Sequence, residues 1–103
     1  MSRQQICVKK MGSNCNEVSD LLKALSHPVR LMILGHLAQG GKSVNELVEQ
    51  CQVSQSQVSQ YLGRMKAEGL IVDKKDGQFR FYRIKDQRLV ELLIKVQSLY
   101  CSK

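Results

Sequence analysis

The sequence predicts one mainly α-helical domain that carries a single β-hairpin, and three observations predict it. Apolar residues recur at i, i+3, i+4 and i+7 in several separate stretches, the spacing of one buried helix face. Ser43 with Glu46, and Ser54 with Gln57, form S-x-x-E and S-x-x-Q capping signatures ahead of two of those stretches. Asp76-Gly77 stands between two β-rich segments, a strong two-residue hairpin signal.

The elements follow in order. Residues 1–12 are polar and basic without periodicity and read as a mobile arm; residues 13–103 read as the folded domain. Asn14 can open a first helix, with Glu17 three residues on. Its stripe is Val18, Leu21, Leu22 and Leu25, with Cys15 on the edge. Ser26 is expected to cap a second helix that tolerates Pro28 in its first turn. "VRLMILGHLAQ" is apolar over most of its surface, so this helix belongs at the centre of the core, and Gly40-Gly41 ends it. The third helix turns Val44, Leu47, Val48 and Cys51 inward, and "CQVS" is a short turn. The fourth helix runs to about Glu68, where Gly69 stops it. In the hairpin, Phe79 and Phe81 fall on one face and Arg80 and Tyr82 on the other. Asp86 can cap a last helix whose apolar arc is too wide for one core contact. Leu89, Leu92, Leu93, Val96, Leu99 and Tyr100 make one stripe, and Val90, Ile94 and Cys101 widen it. Such an arc is expected to bury against a second chain.

Composition narrows the function. Sixteen Lys and Arg against nine Asp and Glu give a formal charge of +7, which favours an acidic partner such as nucleic acid. No apolar run reaches the ~18 residues of a membrane span, and "MSRQQICVKKMG" lacks the apolar core of a secretory signal. A cytoplasmic protein with reduced thiols and no membrane partner is expected. The cysteines Cys7, Cys15, Cys51 and Cys101 contain no C-x-x-C pair, which argues against a zinc knot or a disulfide framework. No Ser-His-Asp pattern, phosphate-binding glycine loop or metal-spaced His pair is present, so no enzyme and no cofactor are expected.

Two short capped helices across a turn of about three residues make a helix-turn-helix. With the basic hairpin that follows, the pattern is a winged helix-turn-helix, whose second helix enters the DNA major groove. The face of that helix fits this use. "SQSQVSQYL" is uncharged; Val58, Tyr61, Leu62 and Met65 point one way, and Ser56, Ser59, Gln60 and Gly63 point the other. Ser54, Gln55, Ser56, Gln57, Ser59 and Gln60 are the expected base-reading residues, since Gln bonds adenine in bidentate fashion and Ser bonds several base edges. Arg64, Lys66, Lys74, Lys75, Arg80 and Arg83 are the expected phosphate contacts, giving affinity without sequence information. The bland alternative is a solvated face, but such faces usually mix Glu with Lys, and none occurs from Gln50 to Gly63 except neutral residues. A rival is a winged helix that binds protein instead of DNA; such domains usually lack these polar residues.

"LLKALSHPVRLMIL", "SVNELVEQCQVSQSQVSQYLGRMKAEGLI" and "DGQFRFYRI" together resemble the ArsR/SmtB family of bacterial repressors, over about residues 14–101. The resemblance implies a homodimer built on the first and last helices. It also implies an inverted-repeat operator near a promoter, and release on meeting an inducer. The ending "LYC" and the recognition helix look most like the sulfur- and redox-responsive branch (HlyU, BigR, SqrR). Sensors of that branch pair a second-helix cysteine with one near the C-terminus. Cys101 matches the latter, whereas the former position is Gly35.

Cys15 is the candidate substitute, and two thiols can bridge if their Cα atoms come within about 7 Å. The leading expectation is therefore a repressor released when reactive sulfur or an oxidant modifies Cys15 and Cys101. Cys51 shares a face with Val44, Leu47 and Val48 and reads as core. The soft-metal motif E-L-C-V-C of some relatives reads Glu46-Leu47-Val48-Glu49-Gln50 here, without either ligand. Cys7, Cys15 and Cys51 remain an alternative thiolate set for arsenite or a soft metal ion. The last helix contains no His, so the zinc site of other relatives is missing; His27 and His36 read as structural. A constitutive DNA binder with no effector is the remaining alternative.

Overall fold

The structure, a computed structural model, describes residues 15–101. The elements are α1 (Cys15–Leu25), α2 (Pro28–Leu37), α3 (Val44–Cys51), α4 (Gln55–Ala67), β1 (Ile71–Asp76), β2 (Phe79–Ile84) and α5 (Gln87–Tyr100). This is the expected order, a winged helix-turn-helix. The basic arm, Cys7 and the Asn14 cap lie outside the described residues.

Helix α2 is central, packing against α1, α3, β2 and α5. Its Ile33, Leu34 and Leu37 are buried, and they meet Leu47 and Cys51 of α3, Val58, Leu62 and Met65 of α4, Ile71 and Ile84 of the hairpin, and Leu89 and Leu93 of α5. Each fully buried large aliphatic side chain contributes about 1.5–3 kcal/mol, so these seams hold α4 to its support. Helix α1 differs: Val18, Leu21 and Leu25 are half-buried, Leu22 is exposed, and no residue of the helix is buried.

Local chemistry sets the boundaries. The α3 capping box forms in full: the Ser43 hydroxyl accepts from the Glu46 N–H at 3.2 Å, and the Glu46 carboxylate accepts from the Ser43 N–H at 3.0 Å. The α4 box forms by half. Ser54 Oγ accepts from the Gln57 N–H at 3.2 Å, but Gln57 Oε1 takes the Ser54 hydroxyl proton at 3.3 Å instead of reaching the Ser54 N–H. Asp86 caps α5 by accepting from the Arg88 N–H at 2.9 Å. Between α3 and α4, Gln52 adopts a left-handed φ of 55°, which turns the chain in one residue.

Two expectations are corrected. The N-cap of α2 is His27, not Ser26. Proline at the first helical position forces the preceding residue into extended backbone, and His27 has φ −113°, ψ 125°. Its Nδ1 accepts from the Val29 N–H at 3.2 Å, while the Ser26 hydroxyl donates back to the Lys23 carbonyl at the end of α1. The hairpin loop is Gly77-Gln78, not Asp76-Gly77: Asp76 pairs with Phe79, and Gly77 takes φ 65°. Glycine at the first loop position is the pattern of a type II′ turn.

The strands pair antiparallel from Ile71↔Ile84 to Asp76↔Phe79. Lys42 adds a one-residue third strand. Its N–H donates to the Tyr82 carbonyl at 3.0 Å, and the Tyr82 N–H donates to the Lys42 carbonyl at 2.8 Å. No helix among the described residues is long and apolar enough to cross a membrane.

Candidate nucleic-acid interface

Helix α4 divides cleanly. Val58, Leu62 and Met65 are buried and Tyr61 is half-buried, whereas Gln55, Ser56, Gln57, Ser59, Gln60 and Gly63 are all exposed. The packed face anchors the helix, so the Ser and Gln side chains project from a fixed platform. A Cβ at Gly63 would meet nothing within 4 Å, which leaves open space over that turn. Ser54 is exposed as well, but its hydroxyl is engaged in the cap.

Three polar ties hold α4 from behind and at its end. The Tyr61 hydroxyl lies 3.0 Å from His27 Nε2, with ring centroids 5.0 Å apart. Because His27 Nδ1 accepts from the Val29 N–H, the neutral ring carries its proton on Nε2 and donates it to Tyr61. Glu68, which caps the end of α4, receives both terminal nitrogens of Arg30 from α2. The bidentate pair offsets a carboxylate at a helix C-terminus, where the dipole disfavours it. The third tie is Lys66 Nζ on Asp73 at 2.7 Å. None of the three was visible as a motif. Each joins residues on different elements, and the nearest sequence signal is an acid placed among basic wing residues.

The six expected phosphate-contacting cations are all exposed, and they fall into two groups. Arg64, Lys74, Lys75 and Arg83 make no ion pair among the described residues. Lys66 and Arg80 are both bound to the Asp73 carboxylate, Arg80 Nη1 also at 2.7 Å. Lys66 first, then Arg80, hold that carboxyl below the usual carboxylate range. Four of the six cations are thus exposed without an ion pair among the described residues, and the exposed face of α4 from Gln55 to Gly63 is uncharged.

The family match falls on this part of the chain. Residues 27–72, which span α2 to the start of β1, match the description "Bacterial regulatory protein, arsR family". The biofilm growth-associated repressor of Xylella fastidiosa (strain 9a5c) is 33% identical over 102 residues, 99% of this chain and 90% of the relative. The chain belongs to the ArsR family of bacterial regulatory proteins. It is accordingly a DNA-binding transcription regulator of the winged helix-turn-helix type. The crystal structure of the transcriptional repressor BigR from Xylella fastidiosa superposes with a TM-score of 0.84 at 34% identity, over 100% of both chains. That of HlyU from Vibrio vulnificus CMCP6 gives 0.82 at 35% identity, over 91% of this chain and 98% of the other. A homodimeric winged helix-turn-helix DNA-binding domain from Mycobacterium bovis, a possible ArsR-family regulator, gives 0.71 at 26%, over 96% and 86%.

The cysteines fall in three settings. Cys51 is buried in the ArsR-type core, and burial pushes its thiol up, away from the reactive thiolate. Cys15 is exposed at the start of α1, two residues before Glu17, which meets Arg88 in the first turn of α5. Cys101 is exposed at the far end of α5, ~20 Å along the helix from Arg88 at 1.5 Å per residue. It borders a shallow pocket of about 250 Å³ with Leu31, Gly35 and Gln97, and no α1 residue lines that pocket. Both thiols are free, and the chain does not join them. The Gln97 amide donates to the Gly35 carbonyl at 3.2 Å, and a Cβ added at Gly35 would meet the same Nε2 at 3.1 Å. Cys15 is exposed and Cys51 buried, and the described residues contain no group of three His, Cys, Asp or Glu able to hold a metal ion. His27 serves as a helix cap, as its structural reading requires.

Proposed function

We propose that this regulator binds as a homodimer, through α1 and α5, to an inverted repeat near a promoter. Its repression ends when reactive sulfur or an oxidant modifies Cys15 and Cys101. The observation that carries the DNA-reading part is the uncharged, outward face of α4. On it Gln55, Ser56, Gln57, Ser59 and Gln60 meet base edges, with Ser54 at its entry. Arg64, Lys74, Lys75 and Arg83 hold phosphates around it, and Lys66 and Arg80, tied to Asp73, do so less strongly. The dimer part is supported by apolar side chains that nothing among the described residues covers: Leu22 at 54%, Ile94 at 51% and Leu99 at 63% exposure. The thiol part is supported by the exposure of Cys15 and Cys101 at ends of the two proposed dimerisation helices. Two thiols that lose two electrons to a polysulfide or peroxide, and release two protons, would form a bridge between protomers and change the angle between the two reading heads.

The test is fluorescence anisotropy of the reduced protein on a duplex from upstream of its own gene, before and after an organic polysulfide. Binding lost on treatment, restored by a reductant and insensitive in Cys15→Ser and Cys101→Ser variants is the expected result. One observation favours a second reading, a constitutive binder: the neighbour of Cys101 is Gly35, not a thiol. Binding that ignores polysulfide, arsenite and cadmium alike would establish that reading.

A further inference from the structure

Among the six cations around the reading helix, two are not free to act alone. Lys66 lies at the end of α4, on the border between its buried and exposed faces, and Arg80 lies on β2 of the wing. Asp73 of β1 sits between them with a side chain only 12% exposed, while Lys66 and Arg80 are half exposed. Each cation contacts a different carboxylate oxygen at 2.7 Å: Lys66 takes Oδ1 and Arg80 takes Oδ2. One carboxylate thus joins the recognition helix to both strands of the wing. Two positive charges and one negative charge leave a net charge of one at this corner.

We propose that Asp73 is a positioning residue that sets sequence discrimination. It locks the wing to the recognition helix, and it compensates Lys66 and Arg80 so that they add little sequence-independent attraction. The reasoning is electrostatic. Each phosphate neutralised by a cation releases counterions and adds about 0.9 to the slope of log K against log salt on duplex DNA. That attraction is the same for every sequence, so it strengthens wrong sites and right sites together. An internal carboxylate at hydrogen-bond distance competes with phosphate for the same two donors. It therefore trims non-specific binding without touching the uncharged Ser and Gln that meet base edges. The same contact fixes where the wing lands relative to α4, and a loose wing would tolerate more registers on the duplex.

The experiment compares the full-length protein with Asp73→Asn and Asp73→Glu on two duplexes: one selected by the wild-type protein from a random pool, and a scrambled duplex of equal composition. Anisotropy titrations across a salt series give affinity and slope. Asp73→Asn is expected to steepen the slope on the scrambled duplex by about 1 to 2. The ratio of selected to scrambled affinity is expected to fall at least about fivefold. Asp73→Glu, which keeps the charge, restores most of both. Lys66→Gln and Lys74→Gln form an independent arm that leaves Asp73 in place. Lys74, unpaired, should cost about 0.9 of slope, and the compensated Lys66 clearly less. The proposal is overturned if Asp73→Asn changes neither slope nor discrimination. It is equally overturned if Lys66→Gln and Lys74→Gln lower the slope alike. Failure of every variant and of the wild type to bind any selected duplex would instead sink the DNA-reading assignment itself.

Discussion

The outer faces of α4 and α5 make an instructive pair. Both helices bury one stripe in the same core, Val58, Leu62 and Met65 for α4 and Leu89 and Leu93 for α5. Both then present a second face that nothing among the described residues covers. On α4 that face is Ser, Gln and Gly; on α5 it is Ile94, Leu99 and Tyr100, with Tyr100 84% exposed. Exposed apolar area favours a partner of the same kind, because water is expelled from both sides. Exposed amides and hydroxyls without charge favour a partner whose own donors and acceptors are fixed in space, as base edges are. On the proposed reading, one helix type serves two kinds of recognition, and the side chains beyond the core stripe decide which.

Substitutions can break each half of this comparison separately. The largest effect is expected from Ile94→Glu combined with Leu99→Glu. Charges on the α5 face should give monomers in sedimentation and weaken binding to the selected duplex by about 100-fold or more, because two linked heads become one. Retained dimers would move the interface elsewhere. Next comes Gln60→Ala on the opposite helix. Loss of a bidentate base contact is worth about 1–3 kcal/mol on the preferred duplex, with the scrambled duplex unaffected. Equal weakening on both would make Gln60 a backbone contact.

Smaller effects sharpen the boundary between stability and reading. Ser43→Ala removes one side of the α3 capping box and should lower stability in urea by about 1 kcal/mol, leaving discrimination unchanged. Gly63→Ala should raise stability by up to about 1 kcal/mol, since glycine weakens a helix interior and the site has room for a methyl group. It should weaken binding to the selected duplex if DNA backbone passes close to that turn; unchanged binding would place the duplex further away. The smallest effect concerns acid. Arg88 holds the Asp86 carboxyl below its ordinary value. Its contribution is therefore present above the unfolded carboxylate pKa of about 3.9 and is lost as pH falls through the lower folded value. Asp86→Asn should flatten that part of the stability profile.

Signals confined to four consecutive residues were legible in the sequence. The Ser43–Glu46 box and the Asp86 cap form where they are expected because both partners are set by helix geometry alone. The α2 cap was misplaced by one residue, although Pro28 already dictates that His27 be extended. The loop was misplaced because Asp76 and Gly77 read alike as turn formers, and only pairing with Phe79 separates them. The Asp73 junction was not legible at all. Lys66, Asp73 and Arg80 lie seven residues apart along the chain on three elements, and no local pattern states that they meet. The outward face of α4 was legible because its buried stripe fixes which side remains. The relation of Cys15 to Cys101 was not, since it depends on how two helices are arranged in space.

The Lys42–Tyr82 bridge has a consequence for how the molecule comes together. Its two hydrogen bonds clasp residues forty positions apart, and the chain between them holds α3, α4 and β1 entire. Closing a loop of that length carries an entropic cost that grows only slowly with its size, and the turn, helix and strand inside it form from local contacts. The segment that carries α4 is therefore a closed circuit within the chain, with α1 and α2 leading into it and α5 leading out. Opening that clasp should unlatch the segment as one cooperative block, and the amide protons of Lys42 and Tyr82 should exchange with solvent together.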